Sequence, residues 1–233
     1  MISRYVIVAG LMAVAACGRR GESSAARAGG SPAGAEAAPA TPAGAAPPTV
    51  VFLGTSLTAG LGLDPELAYP ALVQSMIDSA GLHYRVVNAG VSGETSAGAV
   101  RRIDWLLRDP PAVLVIETGA NDALRGENPD SVRANIQAII DRAKALSPPP
   151  RIVLVGMEAL PNFGPLYGRR FARIYPELAE RNRIPLVPFL LDGVAGVDSL
   201  NQADGLHPTA AGQRIVAKTV WKTLAPVLKT ERG

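Results

Sequence analysis

From Thr49 to Leu228 the chain repeats one alternation, a short run of apolar and largely β-branched residues followed by a longer stretch with helical spacing. The apolar runs are Val50 to Leu53, Tyr84 to Asn88, Val113 to Glu117, Ile152 to Gly156 and Leu186 to Pro188. The helical stretches are Glu66 to Ala80, Thr95 to Arg108, Pro129 to Leu146, Leu166 to Arg181 and, last, Pro208 to Leu228. In the third of these Asn128 can cap, Pro129 suits the first helical position, and Ile136, Ile139, Ile140 and Ala143 share one face. Short strands alternating with helices imply a parallel sheet covered on both faces, an α/β architecture. Right-handed crossovers then bring every strand-to-helix loop to the same sheet edge. Four loops meet there: Gly54 to Ala59, Ala89 to Thr95, Thr118 to Asn128, and the region leading to His207.

The residues before Thr49 have a different character. An apolar run from Tyr5 to Ala16 follows Arg4 and ends in Val14-Ala15-Ala16-Cys17. That run is too short to span a bilayer, so residues 1–16 read as a removable export signal. The ending resembles the bacterial lipobox, in which the cysteine is lipidated, so Cys17 is the expected anchor of an exported, membrane-tethered lipoprotein. It is the single cysteine of the chain, so no intramolecular disulfide can form. An ordinary signal with an incidental cysteine is the competing reading. Residues 17–48 are almost entirely Ala, Gly, Pro and Ser, a composition that cannot bury enough apolar surface to offset its ordering entropy. They read as a disordered, extended tether.

Residues 49–233 are a normal length for one domain with its own core. Of the 23 basic and 20 acidic residues, Arg4, Arg19, Arg20, Arg27, Glu22 and Glu36 precede Thr49, which leaves the domain a formal +1. That balance offers no footprint for nucleic acid. A monomer acting on a small molecule, without cofactor or metal, is expected, because the two histidines and one cysteine are too few and too far apart to ligate one.

Acyl transfer needs a nucleophile, a base, an orienting acid and donors for the developing oxyanion. Ser56, in Gly54-Thr55-Ser56-Leu57, lies where the first strand empties into its turn. Of the two histidines, His83 precedes its strand and belongs at the amino edge, whereas His207 follows the last strand and belongs at the carboxyl edge, beside Ser56. Pro208 can then open the last helix. Asp204 stands three residues before His207, close enough for its carboxylate to reach the near ring nitrogen and fix the tautomer. Gly93, just before a helix start, and the Asn121 amide are candidate oxyanion donors.

Four segments together resemble the SGNH hydrolases, also called GDSL-type esterases and lipases: Gly54-Thr55-Ser56-Leu57, Gly93 in its loop, Gly119-Ala120-Asn121-Asp122, and Asp204-Gly205-Leu206-His207-Pro208. Val87-Asn88-Ala89 and Ile174-Tyr175-Pro176 are similar to the thioesterase I, lysophospholipase and arylesterase branch. The resemblance implies a three-layer α/β/α sandwich of flavodoxin-like type with strand order 2-1-3-4-5. It also implies a catalytic triad of Ser56, His207 and Asp204, and an oxyanion hole made of the Ser56 N–H, the Gly93 N–H and the Asn121 side chain. The substrates it implies are acyl esters, thioesters or lysophospholipids. One position departs from the pattern: Thr55 stands where the family has the aspartate of its GDSL motif, so a hydroxyl must hold the turn there or nothing does.

Other readings compete. Gly90-Val91-Ser92-Gly93 approaches a Gly-x-Ser-x-Gly elbow but has Glu94 at the final position, which counts against Ser92 as nucleophile. Glu117, a charge in an apolar strand, is a rival catalytic acid or, better, a structural carboxylate held by hydrogen bonds. A carbohydrate acetylesterase of the same fold, a flavodoxin-like anion-binding module using Gly54 to Gly60, and a non-catalytic lipoprotein are the remaining alternatives. The anion-binding reading lacks a P-loop ending and leaves Asp204 and His207 unexplained.

Overall fold

Five strands form the sheet: β1 (Thr49–Gly54), β2 (Arg85–Gly90), β3 (Val113–Glu117), β4 (Arg151–Val155) and β5 (Leu186–Val187). All pairings are parallel and the order is β2-β1-β3-β4-β5, as the sequence resemblance implies. The computed structural model describes residues 46–230. Residues 1–16, Cys17 and most of the segment read as a tether therefore lie outside the described residues.

Hydrophobic patterning explains the strand order. Every residue of β3 is buried, as is every residue of β1 and β4 after the first, while β2 has only exposed and half-buried positions. Continuous apolar runs thus occupy the centre, covered on both faces, and the mixed run takes an edge.

Among the described residues eight α-helices accompany the strands: α1 (Ser56–Ala59), α2 (Tyr69–Ser79), α3 (Ser96–Leu106), α4 (Ala120–Leu124), α5 (Pro129–Lys144), α6 (Gly164–Ala172), α7 (Ile174–Asn182) and α8 (Ala210–Lys229). Helix α2 packs on α8, while α5 packs on both α3 and α7. Helix α5 starts as its sequence dictates, with Asn128 Oδ1 accepting the Asp130 N–H at 2.9 Å, and it buries Ile136, Ile139, Ile140 and Ala143.

Three helical expectations need correction, each at a proline. The stretch from Glu66 is a separate 3₁₀ turn (Pro65–Leu67) followed by α2, because Pro70 suits a helix's first turn and would cost a continuous helix a hydrogen bond in its interior. The freed Tyr69 N–H donates instead to Gln213 Oε1 at 2.9 Å. The stretch from Leu166 to Arg181 is broken at Arg173 into α6 and α7, since Pro176 offers no N–H for a continuous helix. Pro208 does not open α8: it bridges to Asn201, and Thr209 caps the helix by accepting the Gly212 N–H.

Candidate active site

The carboxyl edge of the sheet carries the site, and its centre is the turn after β1. Thr55 is extended (φ −102°, ψ −154°), and the chain passes directly into α1 with Ser56 as its first residue. A first helical N–H has no intrahelical acceptor, so the Ser56 N–H is left pointing outward.

Glu117, the last residue of β3, holds this turn from below. Its carboxylate accepts the Thr55 N–H at 2.8 Å, the Thr55 hydroxyl at 3.0 Å and the Thr58 hydroxyl at 2.8 Å. Tyr69, 2.7 Å from Thr58 Oγ1, supplies the proton that completes the chain, because the Thr58 proton goes to the carboxylate. Burial pushes the Glu117 carboxyl above its ordinary value while the hydrogen bonds from Thr55 and Thr58 pull it back. Tyr69 is likewise pushed well up, by its burial and by the neighbouring Glu117 charge. Thr55 therefore does not work alone: a hydroxyl and a backbone N–H meet a carboxylate supplied by the neighbouring strand. Gly54 is required beneath them, since a Cβ there would run into Thr58 Oγ1.

Asp204, Gly205, Leu206 and His207 form a tight turn in which the aspartate's two oxygens divide the work. Oδ1 accepts the Leu206 N–H at 2.9 Å and the His207 N–H at 3.0 Å, which folds the turn. Oδ2 lies 2.6 Å from His207 Nδ1. Those bonds, from the His207 and Leu206 backbone and the His207 ring, lower the Asp204 carboxyl to about 2. An ionised carboxylate only accepts, so in the neutral imidazole Nδ1 carries the ring proton and Nε2 is bare. Nε2 stands 2.8 Å from Ser56 Oγ and can accept only from the serine hydroxyl. Gln202 braces the far side of the turn, its N–H donating to His207 O at 2.7 Å and its amide to Leu61 O at 2.7 Å.

The donor loops face this pair. Gly93 has φ 77°, a left-handed conformation that favours glycine, and open space where a Cβ would be. Asn121, the second residue of α4, donates one amide N–H to Glu94 O at 3.0 Å, which leaves its second N–H for the site. Asp122, 2% exposed, turns away from the site and accepts the Ser96 N–H at 2.8 Å and the Ser96 hydroxyl at 2.6 Å, tying α4 to the start of α3.

Ser56, Gly93, Asn121 and His207 line one cavity of about 310 Å3. The remainder of its wall is mostly apolar, with Leu61, Leu124, Met157, Leu160, Leu191 and Leu206 prominent. The arrangement offers a hydroxyl beside a bare imidazole nitrogen, donors opposite, and a greasy slot. Residues 52–215 match the GDSL-like lipase/acylhydrolase family. The chain belongs to that family. Among its relatives, the esterase TesA of Pseudomonas aeruginosa is 42% identical over 185 residues, 79% of this chain and 91% of the esterase. The thioesterase 1/protease 1/lysophospholipase L1 of Escherichia coli is 34% identical over 185 residues, 79% of this chain and 86% of that protein. The crystal structure of AlinE4, an SGNH-hydrolase family esterase, superposes with a TM-score of 0.65 at 38% identity, covering 79% of this chain and 98% of that one.

The rival candidates fall elsewhere. His83 is exposed just before β2, at the amino edge. Ser92 lines a separate surface cleft with Arg101 and Arg125, and His207 is not part of it. Glu117 lies beneath the Ser56 turn and bonds to Thr55 and Thr58, away from the His207 ring, which pairs with Asp204. The sequence reading missed Thr58, Tyr69, Asp122 and Arg102. Only Arg102 left a signal, a charge placed three and four residues after the buried Ala99 and Gly98 on the inner side of α3.

Proposed function

We propose that this GDSL-family protein is a serine esterase that hydrolyses acyl esters through an acyl-enzyme on Ser56. The reading rests on one observation, the relay from Asp204 through His207 to Ser56 Oγ at 2.6 and 2.8 Å, opening on an apolar cavity. Ser56 Oγ attacks the acyl carbonyl as His207 Nε2 takes its proton, and Asp204 stabilises the imidazolium. The oxyanion forms against the Ser56 and Gly93 N–H groups and the free amide N–H of Asn121. Collapse breaks the bond to the leaving alcohol or thiol, which takes the proton from His207. Water, activated by the same nitrogen, then returns Ser56 and releases the acid.

The leucine-lined cavity favours an acyl chain over an acetylated sugar, whose several hydroxyls would find only Glu158 on its wall beyond the residues assigned to the reaction. The names of the relatives, an esterase and a thioesterase/lysophospholipase, point to the same substrate classes. We extend the reading to location, with Cys17 as the lipidated terminus of an exported enzyme. A hydrolysis panel of short and long acyl esters, acyl thioesters, lysophospholipid and acetylated sugars tests the activity. Turnover of acyl esters that vanishes in Ser56→Ala is expected. Undiminished turnover in Ser56→Ala, or none on any acyl ester, overturns the proposal.

A further inference from the structure

The oxyanion donor and the nucleophile sit on different loops, so something must fix their separation. Gly93 lies in a loop between β2 and α3 whose own backbone offers little: Glu94 donates to Val91 O at 3.2 Å, and Val91 donates to Gly54 O at 2.9 Å. The side chain of Glu94, next to Gly93, is only 10% exposed and is clasped by Arg102 of α3. Arg102 Nε donates to Oε1 at 2.7 Å and to Oε2 at 2.9 Å, and Nη2 donates to Oε2 at 2.6 Å. The same Nη2 reaches Gly54 O at 3.3 Å, two residues before Ser56. Helix α3 makes room for this clasp at Gly98, where a Cβ would stand 2.7 Å from Glu94 Cγ. At its other end, Glu94 O accepts from Asn121.

We propose that Arg102 and Glu94 are a positioning pair that sets the distance between the Gly93 N–H and Ser56 Oγ. The inference rests on the roles assigned above to Ser56 and Gly93. Neither side chain lines the acyl cavity, so neither touches the substrate. A guanidinium suits the role because its planar fork serves the carboxylate with two nitrogens while one of them also reaches the Gly54 carbonyl. Both side chains are largely buried, so salt screens the pair less than it would a surface bridge.

The test compares Arg102→Met, Glu94→Gln, the double variant and Arg102→Lys, assayed on a short-chain aryl ester well below each variant's melting temperature. A misplaced donor weakens the transition state and spares ground-state binding. Each single variant is therefore expected to lose about 10- to 100-fold in kcat with KM nearly unchanged. The double variant should lose no more than either single one, because the pair acts as a unit. Affinity for an alkyl boronic acid, which forms a tetrahedral adduct on Ser56, should fall by the same factor as kcat/KM. Arg102→Lys, a point charge unable to bridge both acceptors, should recover melting temperature more fully than kcat. Wild-type kcat in either single variant, losses confined to KM, or losses that multiply in the double variant would each overturn the positioning role, whereas activity surviving Ser56→Ala would overturn the esterase reading itself.

Discussion

Replacing Glu117 probes how the nucleophile turn is held. In Glu117→Ala the Thr55 N–H and the hydroxyls of Thr55 and Thr58 lose their acceptor. The hydroxyls can rotate toward other partners, but the backbone N–H cannot. One stranded N–H costs about 1–3 kcal/mol, and the one buried methylene that is lost, Cγ, contributes about 0.8 kcal/mol. A loss of about 2–4 kcal/mol corresponds to a fall in Tm of roughly 4–16 °C for a domain of this size. Glu117→Gln should behave differently. Its carbonyl can stand where Oε2 does and accept both the Thr55 N–H and the Thr58 hydroxyl, while its amide donates to Thr55 Oγ1, which can reverse its role. A Tm within about 4 °C of wild type is expected. The sign of the pH dependence follows from the raised carboxyl of Glu117. The folded state holds that proton more tightly than the unfolded state, so this group's contribution is complete below the ordinary glutamate value and is lost as pH rises through the folded value. The Tm advantage of wild type over Glu117→Gln should therefore shrink as pH rises from about 4. Thermal melts of the three proteins across that range decide it. A wild-type Tm in Glu117→Ala, or an equal fall in Glu117→Gln, refutes the reasoning.

His207→Ala should lower kcat by on the order of 10⁴ or more, while His83→Ala, at the opposite edge of the sheet, leaves it unchanged; both are read from steady-state kinetics. Asn121→Ala should lower kcat by roughly 10²–10³ with little change in KM, and the lost bond to Glu94 O should also lower Tm in a melting curve. Cys17→Ser should release the protein from the membrane fraction with its hydrolysis intact, and continued retention would count against the anchor.

Local chemistry was the legible part of the site. Asp204 and His207 are three residues apart in one turn, and each helix-bounded apolar run announced its strand. What the sequence concealed was either too short or too distant. Helices α1 and α4 span four and five residues, less than two turns, and leave no amphipathic period to read. The partners of Thr55 and Glu94 lie 62 and 8 residues away, and only the folded sheet edge brings them together. The helix breaks at Pro70 and Pro176 were readable in principle, since each proline removes a donor from an otherwise continuous pattern.

The central claim is that chemistry passes through a covalent bond to Ser56 that His207 makes possible. Intact mass and peptide mapping after brief exposure to a fluorophosphonate test it directly. One adduct, on the peptide holding Ser56 and formed far more slowly in His207→Ala, is the expected result. An adduct on Ser92, or none at all from an enzyme that still hydrolyses esters, would contradict the account.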